Sequence, residues 1–218
     1  MTVRRLAALT ALSICALALG GCSGVFDSSL PSPQSYVLRL PPTPAGPAAQ
    51  PTAGSILLQR PEAGPGLESE RIALLRSDRR FDFYAASRWA APAPVLIENA
   101  IGDALRATGP FASVLDDAAP FAPRYSLRCT LRRFEADYTE ERSSSAPTVH
   151  VELDCTLGRH RDRELLASFR AQGAARASED HLNAVIAAFE SATAAAMKEL
   201  AAAASAAVAN EKPPSESR

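Results

Sequence analysis

Two long alternating segments constrain this chain more than any other feature. In YSLRCTLRRFEADYTE, beginning at Tyr125, the residues Tyr125, Leu127, Cys129 and Leu131 fall on one face while Ser126, Arg128, Thr130 and Arg132 fall on the other. In TVHVELDCTLGRH, Val149, Val151, Leu153, Cys155 and Leu157 alternate with His150, Glu152, Asp154 and Thr156. A period of two places successive side chains on opposite sides of a pleated strand, so each segment reads as a strand with one buried face. The polar stretch ERSSSAP between them reads as a turn, which makes the pair an antiparallel hairpin. ELLASFRAQG, from Glu164, can continue the meander as a third strand.

That pairing brings Cys129 and Cys155 onto the same face and nearly opposite one another. A cross-strand disulfide is geometrically open to them. Two buried thiols behaving as small hydrophobes is the alternative, and the pattern does not choose between the two.

The remaining elements are shorter. SYVLRL (35–40), with Tyr36, Leu38 and Leu40 on one face, SILLQR (55–60), RIALLR (71–76) and FDFYAAS (81–87) read as strands, and 111–115 as a further short one. PPTPAGPAAQPTAG breaks regular structure because proline lacks the amide donor. From Pro94, the apolar residues Leu96, Ile97, Ala100, Ile101, Ala104 and Leu105 recur at helical spacing up to Gly109 and Pro110. A longer helix is expected from about His181 past Leu200, carrying Leu182, Val185, Ile186, Phe189, Met197 and Leu200 on one stripe, with Ser178 as its cap. The expected fold is α+β: a mostly antiparallel sheet of about six strands with two amphipathic helices packed on one face.

The amino-terminal end carries a different kind of information. Arg4 and Arg5 precede an uncharged apolar run from Leu6 to Leu19, the layout of a secretory signal and too short to cross a bilayer comfortably. Leu19-Gly20-Gly21-Cys22 resembles the lipobox of bacterial lipoprotein precursors. That resemblance implies cleavage after Gly21, a diacylglycerol on the Cys22 thiol and a third acyl chain on the new amino terminus. Three chains anchor firmly where one holds marginally. Ser23 stands where an aspartate would favour inner-membrane retention, so an outer-membrane, periplasm-facing location is expected. The organisation expected is a signal peptide over 1–21, a lipidated tether over 22–34, a domain over 35–205 and a disordered tail over 206–218, where prolines and charges replace the apolar stripe.

The whole chain holds 23 Lys plus Arg against 24 Asp plus Glu. Nucleic-acid binding draws on clustered cationic charge, and nothing here supplies it. No catalytic apparatus is visible either. His150, His160 and His181 stand in no recognisable motif. His150, Asp154 and His160 could ligate zinc only if brought together, yet an extended strand spreads positions 150 and 160 over roughly 30 Å. A solvated strand face is the better reading. The serines show no strained nucleophile turn, and no Walker or dinucleotide pattern is present. No metal, no nucleotide and no cofactor beyond the lipid on Cys22 is expected.

A further set of residues carries a resemblance. Tyr36-Val37-Leu38, then Tyr84, Arg88, Trp89 and Pro92 within FDFYAASRWAAPAP, then Tyr125 and Leu127 opening the meander, together with the lipobox, are similar to the ABC-type transport auxiliary lipoprotein family, the PqiC-like proteins. The likeness spans about residues 19–200. The chain departs from the pattern in its Pro/Ala insertion at 41–54 and in Ala90-Ala91, where an acidic residue is common. The resemblance implies a non-catalytic accessory subunit of an MCE-type ABC system moving lipids between two membranes, with ATPase, permease and MCE protein as separate chains. It implies docking of the periplasmic MCE-domain partner at the outer-membrane leaflet, through a sheet edge, loops or self-association of copies. Trp89 is then either a core plug at the strand-to-helix corner or a partner-facing anchor. A lipid-carrying module, opening between helices and sheet, is the second reading, and an envelope hydrolase a weaker third. Docking is preferred because the apolar positions suffice for one core and leave no surplus stripe.

Overall fold

In the computed structural model, residues 32–41, 53–108, 110–139 and 146–211 are described. The signal peptide, Gly21, the lipidation site Cys22 and nearly all of the tether lie outside them. The elements in chain order are β1 (Gln34–Tyr36), β2 (Ile56–Leu58), β3 (Glu62–Ala63), β4 (Arg71–Leu75), β5 (Phe81–Trp89), α1 (Ala93–Thr108), β6 (Val114–Leu115), β7 (Tyr125–Asp137), β8 (Thr148–Arg159), β9 (Leu165–Arg176) and α2 (Leu182–Ala209).

The meander is the frame. β8 pairs antiparallel with β7, from Tyr125 opposite Arg159 to Asp137 opposite Thr148, and β9 pairs antiparallel with β8. The core-facing residues of β8, Val149, Val151, Leu153, Cys155 and Leu157, are all buried. Cys129 and Cys155 are direct partners, their Cα atoms 4.1 Å apart, and the structure joins them by a disulfide.

β7 does not alternate evenly to its end. Its register against β8 shifts between Leu131 and Arg133, which makes Arg132 the extra residue of a bulge. A strict period of two would have driven Arg133, Glu135 and Asp137 into the core. The bulge turns Phe134 and Ala136 inward instead, at 1% and 0% exposure.

The other side of β7 corrects the expected architecture. β2, β3 and β4 line up along it in succession, all parallel to it, at Tyr125–Leu127, Thr130–Leu131 and Glu135–Asp137. β6 adds to β2 in parallel, β5 to β4 antiparallel, and β1 to β5 in parallel. The sheet is therefore mixed and nine-stranded, not mostly antiparallel with about six strands. Strands of two or three residues such as β3 and β6 are too short to show a period, and their direction is fixed by where the chain returns, not by their own residues. In SYVLRL only the first part pairs, as β1. Leu38 and Leu40 still pack on the core, while the Arg39 amide donates to Glu190 on α2 (2.9 Å).

α1 starts where the Pro92 carbonyl accepts from the amides of Val95 (2.9 Å) and Leu96 (3.2 Å), and it buries Ile97, Ala100, Ile101, Ala104 and Leu105. α2 is capped by His181 rather than Ser178, the imidazole accepting from the Asn183 amide. It runs through Ala209, so residues 206–209 belong to the domain and the expected boundary at 205 falls short. Alanine carries no apolar stripe for the eye to follow, yet it is the strongest helix former and extends α2 on its own. α2 lies directly on β9 at Gly173, where a Cβ would come within 2.0 Å of the Ala192 carbonyl oxygen.

Candidate functional site

The residues that carry the family resemblance come to one corner but do different work. Trp89 ends β5 with no exposed surface. Its ring centroid lies 5.6 Å from Phe134 and 5.1 Å from Phe189, which are themselves 4.9 Å apart. The three rings tie β5, β7 and α2 together, and Trp89 is a core residue. Its amide donates to the Glu70 carbonyl (2.6 Å), but among the described residues its indole N–H has no acceptor. Pro92 is used by its carbonyl, as the start of α1. Tyr84 lies in the stretch of β5 that leaves the β4 register, and its hydroxyl pairs with that of Tyr138 (2.8 Å), which donates onward to Asp180 (2.7 Å). Burial pushes the Tyr84 hydroxyl up to about 12. Only Arg88 faces water, held by Glu70 and Ser35 at 3.2 Å each. The four residues therefore form a structural corner with one exposed cation, not a convergent site.

The histidines are equally dispersed. His150 pairs across the sheet with Glu135, His160 sits in the β8–β9 turn with its amide on the Arg124 carbonyl, and His181 caps α2. Asp154 gives one oxygen to Arg132 and the other to Arg170, both at 2.8 Å. Arg170 also reaches Glu152 at 2.9 Å, so the solvent face of the meander is a lattice of alternating charge. Such solvent-exposed pairs favour the cross-strand register and add little to stability, because water and salt screen them. No group of three His, Cys, Asp or Glu side chains suited to a metal is present among the described residues.

Two features went unread in the sequence. The first closes the domain: Glu211, two residues past α2, accepts from the Tyr125 hydroxyl (2.6 Å), Arg159 (2.8 Å) and Arg124 (3.2 Å). The Tyr125 hydrogen bond and the two guanidinium groups hold its carboxyl below the usual carboxylate range. One side chain thus pins the end of the last helix to the start of β7 and the end of β8.

The second is a groove of about 690 Å³ between α1 and α2. Ala100, Ala104 and Ala107 line one wall, and Ala194, Ala201 and Ala202 the other, with Met197 also lining it. Ala100, Ala104 and Ala107 on α1, and Ala194, Met197 and Ala201 on α2, recur at three- and four-residue steps, so mostly small side chains share the facing sides of the two helices and leave a trough where larger ones would meet. Leu40 and Pro41 complete the lining. Two charged residues border it: Asp103, paired with Arg106 at 3.1 Å, and Lys198. Lys198 makes no ion pair among the described residues, and it is one of only two lysines in the chain. The sequence signal for the trough was the alanine spacing, which reads as ordinary helix.

No helix of the described residues is long and apolar enough to cross a membrane. Among curated proteins none matches the sequence. Among solved structures, the chain is similar to protein XCC0632 from Xanthomonas campestris, with 27% identity and a TM-score of 0.72 over 81% of this chain and 97% of that one. A second crystal structure, of an uncharacterised protein, shares the fold at 14% identity and a TM-score of 0.59, covering 80% and 97%. The family model for the ABC-type transport auxiliary lipoprotein component matches residues 36–201, and the chain belongs to that family.

Proposed function

We propose that this chain is a non-catalytic auxiliary subunit of an MCE-type ABC system for lipid transport between two membranes, anchored through acylated Cys22 to the periplasmic face of the outer membrane. The single observation that carries the reading is the family match over residues 36–201, a family of transport auxiliary lipoproteins, joined to a lipobox cysteine fourteen residues before the matched segment. The geometry is consistent with a passive subunit. The histidines stand apart, the charged residues of the sheet face neutralise one another, and the tryptophan of the motif is spent on the core.

In this role the acyl chains hold the domain at the leaflet, and the domain receives the periplasmic MCE-domain protein of the transporter. The outer edge of β9, which pairs with no further strand among the described residues and is crossed by Glu199 of α2 at the Gln172 amide, and the loops are the surfaces we assign to a partner or to further copies of the chain. ATPase and permease work belongs to other chains. Membrane fractionation with palmitate labelling, comparing the wild-type chain with Cys22→Ala, tests the anchor: label and membrane association should both be lost in the variant. Pull-down of the anchored chain from cross-linked envelopes tests the partner. An unlabelled wild-type chain that floats free of envelope fractions refutes the reading.

A further inference from the structure

We infer that the groove between α1 and α2 seats one acyl chain of a membrane phospholipid, with Lys198 at its rim meeting the phosphate. The inference deepens the membrane-anchored reading above and rests on it for the source of the lipid.

Size argues first. The wall runs from Ala100 to Thr108 on α1 and from Ala194 to Ser205 on α2, about 12 and 16 Å at 1.5 Å per residue. That is close to half of the roughly 30 Å hydrocarbon thickness of a bilayer, the length of one leaflet's acyl chain. The groove's volume of about 690 Å³ falls in the range of pockets that enclose small apolar ligands, about 300–1,000 Å³.

Chemistry argues second. The walls are alanine, Met197 and Leu40, which offer a hydrocarbon surface and no polar demand on an occupant. The polar groups are confined to few positions. Thr108 and Ser205 turn their hydroxyls back onto helix carbonyls, at 2.8 and 2.7 Å. Asp103 is already neutralised by Arg106. That leaves Lys198 as the lining charge with no ion pair among the described residues, and a lysine stem is able to cover apolar surface while its ammonium stays in water. An ammonium is a compact point charge suited to a phosphate oxygen. An apolar trough with a single cation at its edge is complementary to an anionic amphiphile.

Position argues third. Only ten residues separate Cys22 from Ser32, a reach of at most about 34 Å. From there β1 leads straight to Leu40 and Pro41, on the groove lining. The segment that tethers the domain to the leaflet is thus continuous with the wall of the trough.

The test uses the full chain in its own envelope. A photo-crosslinking residue, p-benzoylphenylalanine, is placed singly at Ala107, at Ala202 and, as a control on the solvent face of β9, at Ala174. Adducts are then sorted by mass. The expected result is a phospholipid adduct at Ala107 and Ala202, at least fivefold above Ala174, and a several-fold drop at Ala202 when Lys198→Glu is added, with the thermal melting of the domain unchanged. Equal lipid labelling at Ala174, protein-sized adducts at Ala107 and Ala202, a dimer of this chain, or no adduct at all would each overturn the inference. Because labelling is read without regard to Cys22, phospholipid adducts from a chain that carries no acyl group would sink the anchor and leave the groove standing. An acylated chain without adducts would do the reverse.

Discussion

Gly173→Ala is the sharpest perturbation the fold offers. A Cβ at this position would lie 2.0 Å from the Ala192 carbonyl oxygen, 2.8 Å from the Ala196 amide and 3.0 Å from the Ala192 carbonyl carbon. All three are backbone atoms of α2, so no side chain can rotate aside, and restoring ordinary contact requires the helix to recede from β9 by more than 1 Å. Overpacking of this kind costs about 1–3 kcal/mol. Recession adds to it, because a radial gap of about 0.5–1 Å forfeits a quarter to a half of each dispersion contact beneath the helix. Phe189, Ala196 and Leu200, all at 0% exposure, would lose theirs. Replacing glycine restricts the unfolded chain and returns about 0.4–1 kcal/mol. The net destabilisation is about 2–4 kcal/mol, which for a domain of this size lowers Tm by about 5–15 °C. Thermal unfolding followed by circular dichroism on the full chain reads it, with Gly64→Ala as control, where the nearest atom is 3.3 Å away. A Gly173→Ala variant melting within 1 °C of wild type would refute the close seating of α2 on β9.

Trp89→Phe should cost little by chemical unfolding, because the lost ring volume is offset by removing an indole N–H that has no acceptor, whereas Trp89→Ala should cost about 3–5 kcal/mol. Unfolding without reductant and counting thiols should leave Cys129 and Cys155 unreactive; reducing that bond, which closes a 26-residue separation, should destabilise the domain by about 3 kcal/mol. Glu211 has a folded-state pKa below its ordinary 4.5, so its contribution is fully present above that value and is lost as pH falls through the lowered one. Glu211→Gln should therefore be less stable than wild type at neutral pH and converge with it in acid; parallel stability curves across that window would remove the latch from the account.

The parts of this fold that were legible in the sequence are those that repeat. β7 and β8 gave themselves away by alternation over 125–132 and 149–157, β9 by its place after them, and α1 by its 3.6-residue spacing, because a buried face selects apolar side chains at a fixed step. The opposition of Cys129 and Cys155 followed from the same alternation. What repeats too briefly was not legible. β3 has two residues, and nothing in Glu62-Ala63 states that it runs parallel to Thr130-Leu131. The bulge at Arg132 was hidden because the pattern resumes one residue late, and only the burial of Phe134 reveals the shift. Glu211 lay in a polar segment whose composition pointed to disorder, yet its own carboxylate accepts from Tyr125, Arg124 and Arg159. The groove escaped for a different reason: surplus apolar surface was sought as large side chains, and here it is made by their absence.

The resemblance motif and the surfaces open to a partner are therefore different sets of residues, and the fold explains the division. Tyr36 ends β1, and its carbonyl accepts from the Ala90 amide (2.7 Å), one residue beyond Trp89. Trp89 in turn is clamped between Phe134 and Phe189, so the strand that follows the tether is bonded one residue from a fully buried part of the core. Any pull from a leaflet on the amino-terminal segment is delivered there first, through three paired residues, Gln34 to Tyr36, at the edge of the sheet. Arg88 reinforces the same junction from outside, bridging Ser35 on β1 and Glu70 ahead of β4. Tyr36, Arg88 and Trp89 thus join the strand that enters the sheet to the body of the domain, with Pro92 opening α1 directly behind, and this is the load path the proposed anchor would use; the outer faces of α1, α2 and β9 take no part in it.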